Sequence, residues 1–154
     1  MGPLYHLPEA EERRRVLAEA LRVLRPGGVL LAEVICRYAW ILDATVRNLL
    51  DEPGIFETFA HNIDTGMSQF DELVRDGAFW GYFHRPLELD AEVKGAGFDM
   101  TSVVAVEGFG WLLGDLDRYM ENPGALLRAL TLSEAEPSMV GCSAHAIGVA
   151  ARPR

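Results

Sequence analysis

With 154 residues, 49% of them hydrophobic and 9% aromatic, the chain is long and apolar enough for one domain with a real core, which excludes a disordered segment. A net charge of −9 and an isoelectric point near 4.8 disfavour nucleic acid or an anionic membrane as the main partner. The two cysteines, Cys36 and Cys142, form neither a CxxC nor a zinc spacing, so reduced thiols in a cytoplasmic protein are expected. There is no secretory leader pattern, and no apolar run long enough to span a bilayer.

The first seven residues are apolar and aromatic, an unusual opening for an isolated domain, and the chain is expected to begin inside one. A helix is predicted from Pro8 to Leu24. Glu9, Glu11 and Glu12 suit its amino end, and Leu17, Ala20, Leu21 and Leu24 share one face. Leu24-Arg25-Pro26-Gly27-Gly28 then reads as a helix stop and a type II turn, with positive φ at a glycine. The nearly continuous apolar run over 29–36 follows as a strand covered on both faces, which implies a parallel or mixed sheet.

Residues 38–50 are predicted helical, with further helical pieces over 55–62 and 69–75. The whole 38–85 stretch is rich in bulky aromatics and reads as a helical lid over a ligand crevice. A short helix opens at Pro86 and stops at Gly95-Ala96-Gly97. Strands are expected over 98–106 and 144–151, with helices over 115–121 and 123–132 between them. The fold class is therefore α/β: about three strands, flanking helices and the lid, in a single domain over 1–154.

The order of these motifs carries a resemblance. Gly2-Pro3-Leu4-Tyr5-His6-Leu7, the "LRPGG" turn, the strand ending Ile35-Cys36-Arg37-Tyr38, and Val106-Glu107-Gly108-Phe109-Gly110-Trp111 together resemble the second half of a class I S-adenosylmethionine (SAM)-dependent methyltransferase of small-molecule type. The resemblance implies a partial Rossmann-like fold whose last strand inserts, antiparallel, between the other two. In that family a glycine-rich turn after the first strand holds the methionine of SAM, and an acidic residue after the second holds the ribose. Neither position exists in this chain. Gly95-Ala96-Gly97 lacks the third glycine of a dinucleotide fingerprint and reads as a helix stop.

The resemblance also assigns site residues. Pro3 and Leu4 fall beside the cofactor. Tyr5 and His6 face the acceptor, where His6 would orient it or remove its proton; the alternative is that both pack locally at a helix start. Arg37 and Tyr38 lie at the carboxyl end of the central strand, and Arg37 reads either as an anchor for a substrate carboxylate or as a surface ion pair. His84 is an acceptor contact or a hydrogen-bonded structural histidine. Glu107 and Trp111 line the acceptor pocket or serve the turn. His61 and His145 show no metal spacing, no metal site is expected, and His145 reads as structural.

Two functions follow. One is a SAM-dependent methyltransferase of a small-molecule acceptor, present as a C-terminal portion inactive alone. The other is a non-catalytic, self-associating module derived from such an enzyme. With the first half of the fold absent, the 29–36 strand is expected to form a sheet edge and to pair two copies into a homodimer.

Overall fold

The computed structural model describes residues 4–69 and 80–154. A 3-10 turn, Leu4–His6, leads into helix α1, Ala10–Val23. Leu24 closes α1, with its N–H bonded to Ala20 O, and the turn then forms as read: Gly28 N–H donates to Arg25 O at 2.7 Å and Gly27 sits at φ +75°. A side chain on Gly28 would also meet Arg25 O, at 2.8 Å. Strand β1, Val29–Cys36, follows directly.

Helices α2, Ala39–Val46, and α3, Ile55–Thr65, come next. The aromatic stretch then departs from the all-helical expectation: it contains strands β2, Met67–Gln69, and β3, Trp80–His84, paired antiparallel. Gln69 belongs to β2, and the remainder of the helix expected over 69–75 lies outside the described residues. Helix α4, Pro86–Gly95, carries Pro at its first turn, and Glu88 returns to the Arg85 N–H at 2.9 Å. Strand β4, Asp99–Ala105, a 3-10 turn Gly108–Leu112, helices α5, Leu116–Met120, α6, Gly124–Ser133, and α7, Pro137–Val140, and strand β5, His145–Ala151, complete the chain.

The strands form one five-stranded sheet in the order β2-β3-β1-β5-β4. Strand β5 lies antiparallel between β1 and β4, as the resemblance implies. Strand β1 is not a sheet edge, however. Strand β3 pairs with it in parallel through Ile35–Phe83 and Cys36–His84, two pairs that protect its carboxyl end. A five-residue strand from the lid takes that place because Phe83 fills an aromatic cluster with Trp40 and Phe59.

Register sorts the core onto two faces. Ala32, Val34, Cys36, Ala146 and Ala150 pack with Leu17 of α1 and with Leu89 and Val93 of α4. Leu89 and Val93 are fully buried, each worth about 1.5–3 kcal/mol of apolar transfer. Ile35 points the other way, onto Trp40, Ala44, Ile55, Phe59 and Phe83. Strands β1, β3 and β4 run in one direction and β5 opposes them, so Cys36, His84, Ala105 and His145 share a single rim. Among the described residues, no helix is long and apolar enough to cross a membrane.

Candidate functional site

Open α/β sheets bind ligands at the carboxyl ends of their strands, and this rim carries two polar clusters. The first forms where β4 ends and β5 begins. Ala105 pairs with Ala146, so Glu107, just past the end of β4, meets His145 at the start of β5. Oε1 of Glu107 lies 2.6 Å from His145 Nδ1, and Oε2 accepts from the His145 backbone N–H at 2.9 Å. Ser143 Oγ donates to the same Oε2 at 2.8 Å while accepting the N–H groups of Glu107 and Gly108 at 3.1 and 3.0 Å. Burial pushes the Glu107 carboxyl up, but the His145 and Ser143 hydrogen bonds outweigh it and hold the group below the usual carboxylate range.

A serine, a carboxylate and a histidine invite comparison with a hydrolase triad, but the order is wrong. Here the carboxylate stands in the middle and itself accepts the serine O–H, so no imidazole activates Ser143, which is fully buried. Trp111 braces the cluster by donating Nε1–H to Cys142 O at 2.8 Å. Cys36 lies beneath it, with its thiol pushed up to about 12 by burial and by the charge of Glu107.

The second cluster sits between β3, α1 and α4. His84 is fully buried, with Nε2 3.3 Å from Glu92 Oε2 and Nδ1 without a hydrogen-bond partner among the described residues. Arg13, 3% exposed, pairs with Glu92 at 2.8 Å, donates to the carbonyls of Leu7 and Pro8, and lies 3.8 Å over the Tyr82 ring. Burial raises the Glu92 carboxyl, yet hydrogen bonds from His84 and Arg13 leave it lowered overall.

Arg37 meets a carboxylate, but an internal one. Its Nη2 lies 2.7 Å from Glu88 Oε2, and it also donates to Phe83 O, Ile63 O and the Tyr82 hydroxyl. Four of the guanidinium's five N–H bonds are thereby committed, and the side chain is 1% exposed. The anchor expected for a substrate carboxylate thus instead ties β3, the end of α3 and the start of α4 to the tip of β1. The Arg37 end of this ion pair is buried, while Glu88 is partly exposed.

Of the other expected site residues, Tyr5 and His6 stack at 4.3 Å in the 3-10 turn, which packs against β1 and β3. His6 is exposed and Tyr5 partly so. Tyr38 is 41% exposed, at the amino end of α2. Leu4 is buried in the α1–α4 core, and Pro3 lies outside the described residues. His84 and His145 are not brought together: they belong to strands two spacings apart, about 10 Å, and His84 shares the face of Cys36 whereas His145 shares that of Ile35. His145 and Ser143 are the rim residues that the sequence reading passed over. The signal that could have found them is a histidine opening one strand opposite an acidic residue just beyond the end of its neighbour.

The described residues do not fit a complete SAM site. Cβ atoms on Gly108 and Gly110 would meet Leu130 of α6 at 2.8 and 3.4 Å, so that glycine pair is spent on helix packing and makes no open cradle. Gly97 likewise faces Leu21, at 3.1 Å. No group of three His, Cys, Asp or Glu side chains among the described residues is placed to hold a metal ion.

No protein-family model matches the chain, and no curated protein matches it. Among solved structures it is similar to the crystal structure of a SAM-dependent methyltransferase from Methanosarcina mazei, with a TM-score of 0.56 at 16% identity. The match covers 99% of this chain but 57% of that one, so the chain spans little more than half of its neighbour's length. Sheet order, flanking helices and this likeness together establish a mixed α/β, Rossmann-like fold of the methyltransferase kind.

Proposed function

We propose that this chain is the acceptor-side portion of a SAM-dependent methyltransferase acting on a small molecule, and that it needs a complementing cofactor-binding portion to work. The observation carrying this reading is the likeness to the methyltransferase neighbour along nearly the whole chain, with polar side chains gathered on the strand-end rim. In methyl transfer from a sulfonium, the donor supplies the reactivity, and the protein supplies alignment and exclusion of water. Tyr5 and His6 would position the acceptor, with Tyr38, Glu107 and Trp111 around it and the buried Arg37 and His84 stiffening the wall. Pro3 and Leu4 would lie beside the cofactor. The acidic surface favours a small acceptor over nucleic acid, in a cytoplasmic protein.

The test is calorimetric titration with SAM of two polypeptides: this chain, and one extended by the residues encoded immediately upstream. The reading expects no saturation for the first and one-site binding at micromolar affinity for the second. An extended, folded polypeptide that does not bind SAM would overturn it.

A second reading, a self-associating module, is favoured by one observation. Among the described residues, β1 pairs with β3 only at Ile35 and Cys36, and Val29 and Leu31 at its other end are 59% and 47% exposed. Pairing of two copies along that free stretch would give a homodimer. Light scattering at high concentration checks it, and a strictly monomeric mass would remove it.

A further inference from the structure

The free stretch of β1 presents backbone groups that can be assigned one by one. Gly28 O accepts the Arg152 N–H and Cys36 N–H donates to Ala144 O, so the even-numbered backbone groups of β1 face β5. Arg37 N–H donates the other way, to His84 O. The N–H and C=O groups of Val29, Leu31 and Glu33 therefore point away from β5, and among the described residues no strand pairs with β1 there.

The side chains along this stretch are self-complementary. Val29 and Leu31 share the face of Glu33 and are 59% and 47% exposed. Glu33 is partly buried, opposite Ile147 and between Leu31 and Ile35 on its strand face. An apolar setting thus surrounds a carboxylate that has no partner among the described residues. Arg25, exposed at the turn before β1, has no side-chain partner among them either. Within one chain Arg25 stands before Val29, which is itself about 13 Å of strand short of Glu33. A two-fold axis across the free stretch reverses the strand direction and carries Glu33 of one copy to the Arg25 turn of the other.

Parity and packing then choose the register. The outward groups are odd-numbered, so odd residues of the two copies face each other. Leu31 opposite Leu31 would put Val29 against Glu33, and Val29 opposite Val29 would put Leu31 against Gly27. Val29 opposite the second copy's Leu31, twice by symmetry, joins apolar to apolar and sets Glu33 beside the second copy's Gly27, two residues from Arg25. We infer that this stretch is an isologous docking surface for a second copy of the chain, in which Val29 faces Leu31 and Glu33 pairs with Arg25 across the two-fold axis. The inference rests on the self-associating reading and adds its register and its ion pair. A lone charge on a strand edge can instead guard against pairing, and the experiment separates the two.

The experiment is sedimentation equilibrium of the wild type, Arg25→Glu, Glu33→Arg, the double variant and Glu33→Ala, each checked for folding by circular dichroism. The wild type should dimerise. Each single charge reversal replaces two opposite-charge pairs by two like-charge pairs and should weaken the dimer about tenfold or more, and the double reversal should restore it. Glu33→Ala should weaken the dimer less than Glu33→Arg. A monomeric wild type overturns both the inference and the self-associating reading. A dimer indifferent to the single reversals, a double variant no tighter than the singles, or tightening by Glu33→Ala, the mark of a guarding charge, overturns the inference and leaves self-association standing. Should the reversals not fold, disulfide capture at the two exposed positions decides, in a Cys142→Ser background. Val29→Cys mixed with Leu31→Cys should cross-link to each other in preference to themselves on mild oxidation, because facing residues of a hydrogen-bonded pair have Cα atoms about 5.5 Å apart. Preferential self-cross-linking, or no cross-link, overturns the inference.

Discussion

Replacing Arg37 with alanine tests whether the lid strand is held by one buried guanidinium. The substitution strips hydrogen bonds from the carbonyls of Phe83 and Ile63 and from the Tyr82 hydroxyl, in a site where the side chain is 1% exposed. Glu88 is not stranded, because it keeps Arg85 through the backbone N–H at 2.9 Å and the guanidinium at 3.1 Å, and is itself 30% exposed. The Ile63 carbonyl keeps Arg85 Nη2 at 3.0 Å, so the loss is dominated by the Phe83 carbonyl, at about 1–3 kcal/mol, with a smaller packing contribution. We expect about 2–4 kcal/mol in all, a large share of the about 5–15 kcal/mol typical of a domain. Arg37→Lys should recover little, because a single ammonium cannot serve acceptors spread over three elements. Urea unfolding measures this, with Arg47→Ala as a control: its partner Asp43 lies on the same exposed helix face, and its cost should stay within about 0.5 kcal/mol. A cost below about 1 kcal/mol for Arg37→Ala would refute the view that this side chain pins β3 to β1.

Acid should unfold the protein through both rim clusters. Glu92 and Glu107 have lowered values in the folded state, so their contribution is present above the ordinary glutamate value, about 4.3, and is lost as pH falls through the lower folded values. Unfolding midpoints across that range should drop less steeply in Glu107→Gln than in the wild type. Gly66→Ala should cost about 2–4 kcal/mol, because φ is +81° and the new Cβ would meet the Tyr82 ring at 2.5 Å and Arg37 Nη2 at 2.6 Å. Gly54→Ala shares the positive φ with nothing nearby and should cost about 1–2 kcal/mol, so thermal melts of the pair separate strain from clash. Cys36 is fully buried, with its thiol raised to about 12, so native-state alkylation followed by peptide mapping should label Cys142 and spare Cys36.

What the sequence made legible was local. Arg25-Pro26-Gly27-Gly28 encodes its turn through the backbone freedom of Gly27, and the apolar run after it forms the expected strand, although Val29 and Leu31 at its amino end are exposed and so it is not covered on both faces throughout. Strand β3 was hidden for the opposite reason. Trp80–His84 has the aromatic composition of its helical neighbourhood, and its pairing with β1 rests on contacts from residues far earlier in the chain. Arg37 was legible as one half of an ion pair, but its partner was not, because Glu88 stands in a helix 51 residues later. The contact of His145 with Glu107 was not legible, because the two stand 38 residues apart and meet only through the β4–β5 register.

Titrating the folded chain with SAM by calorimetry tests the central claim most directly. We expect this polypeptide to supply an acceptor rim and, among the described residues, no cofactor cradle, and so to give no saturable heat. One-site binding at micromolar affinity would contradict it, and would place a complete donor site within these 154 residues.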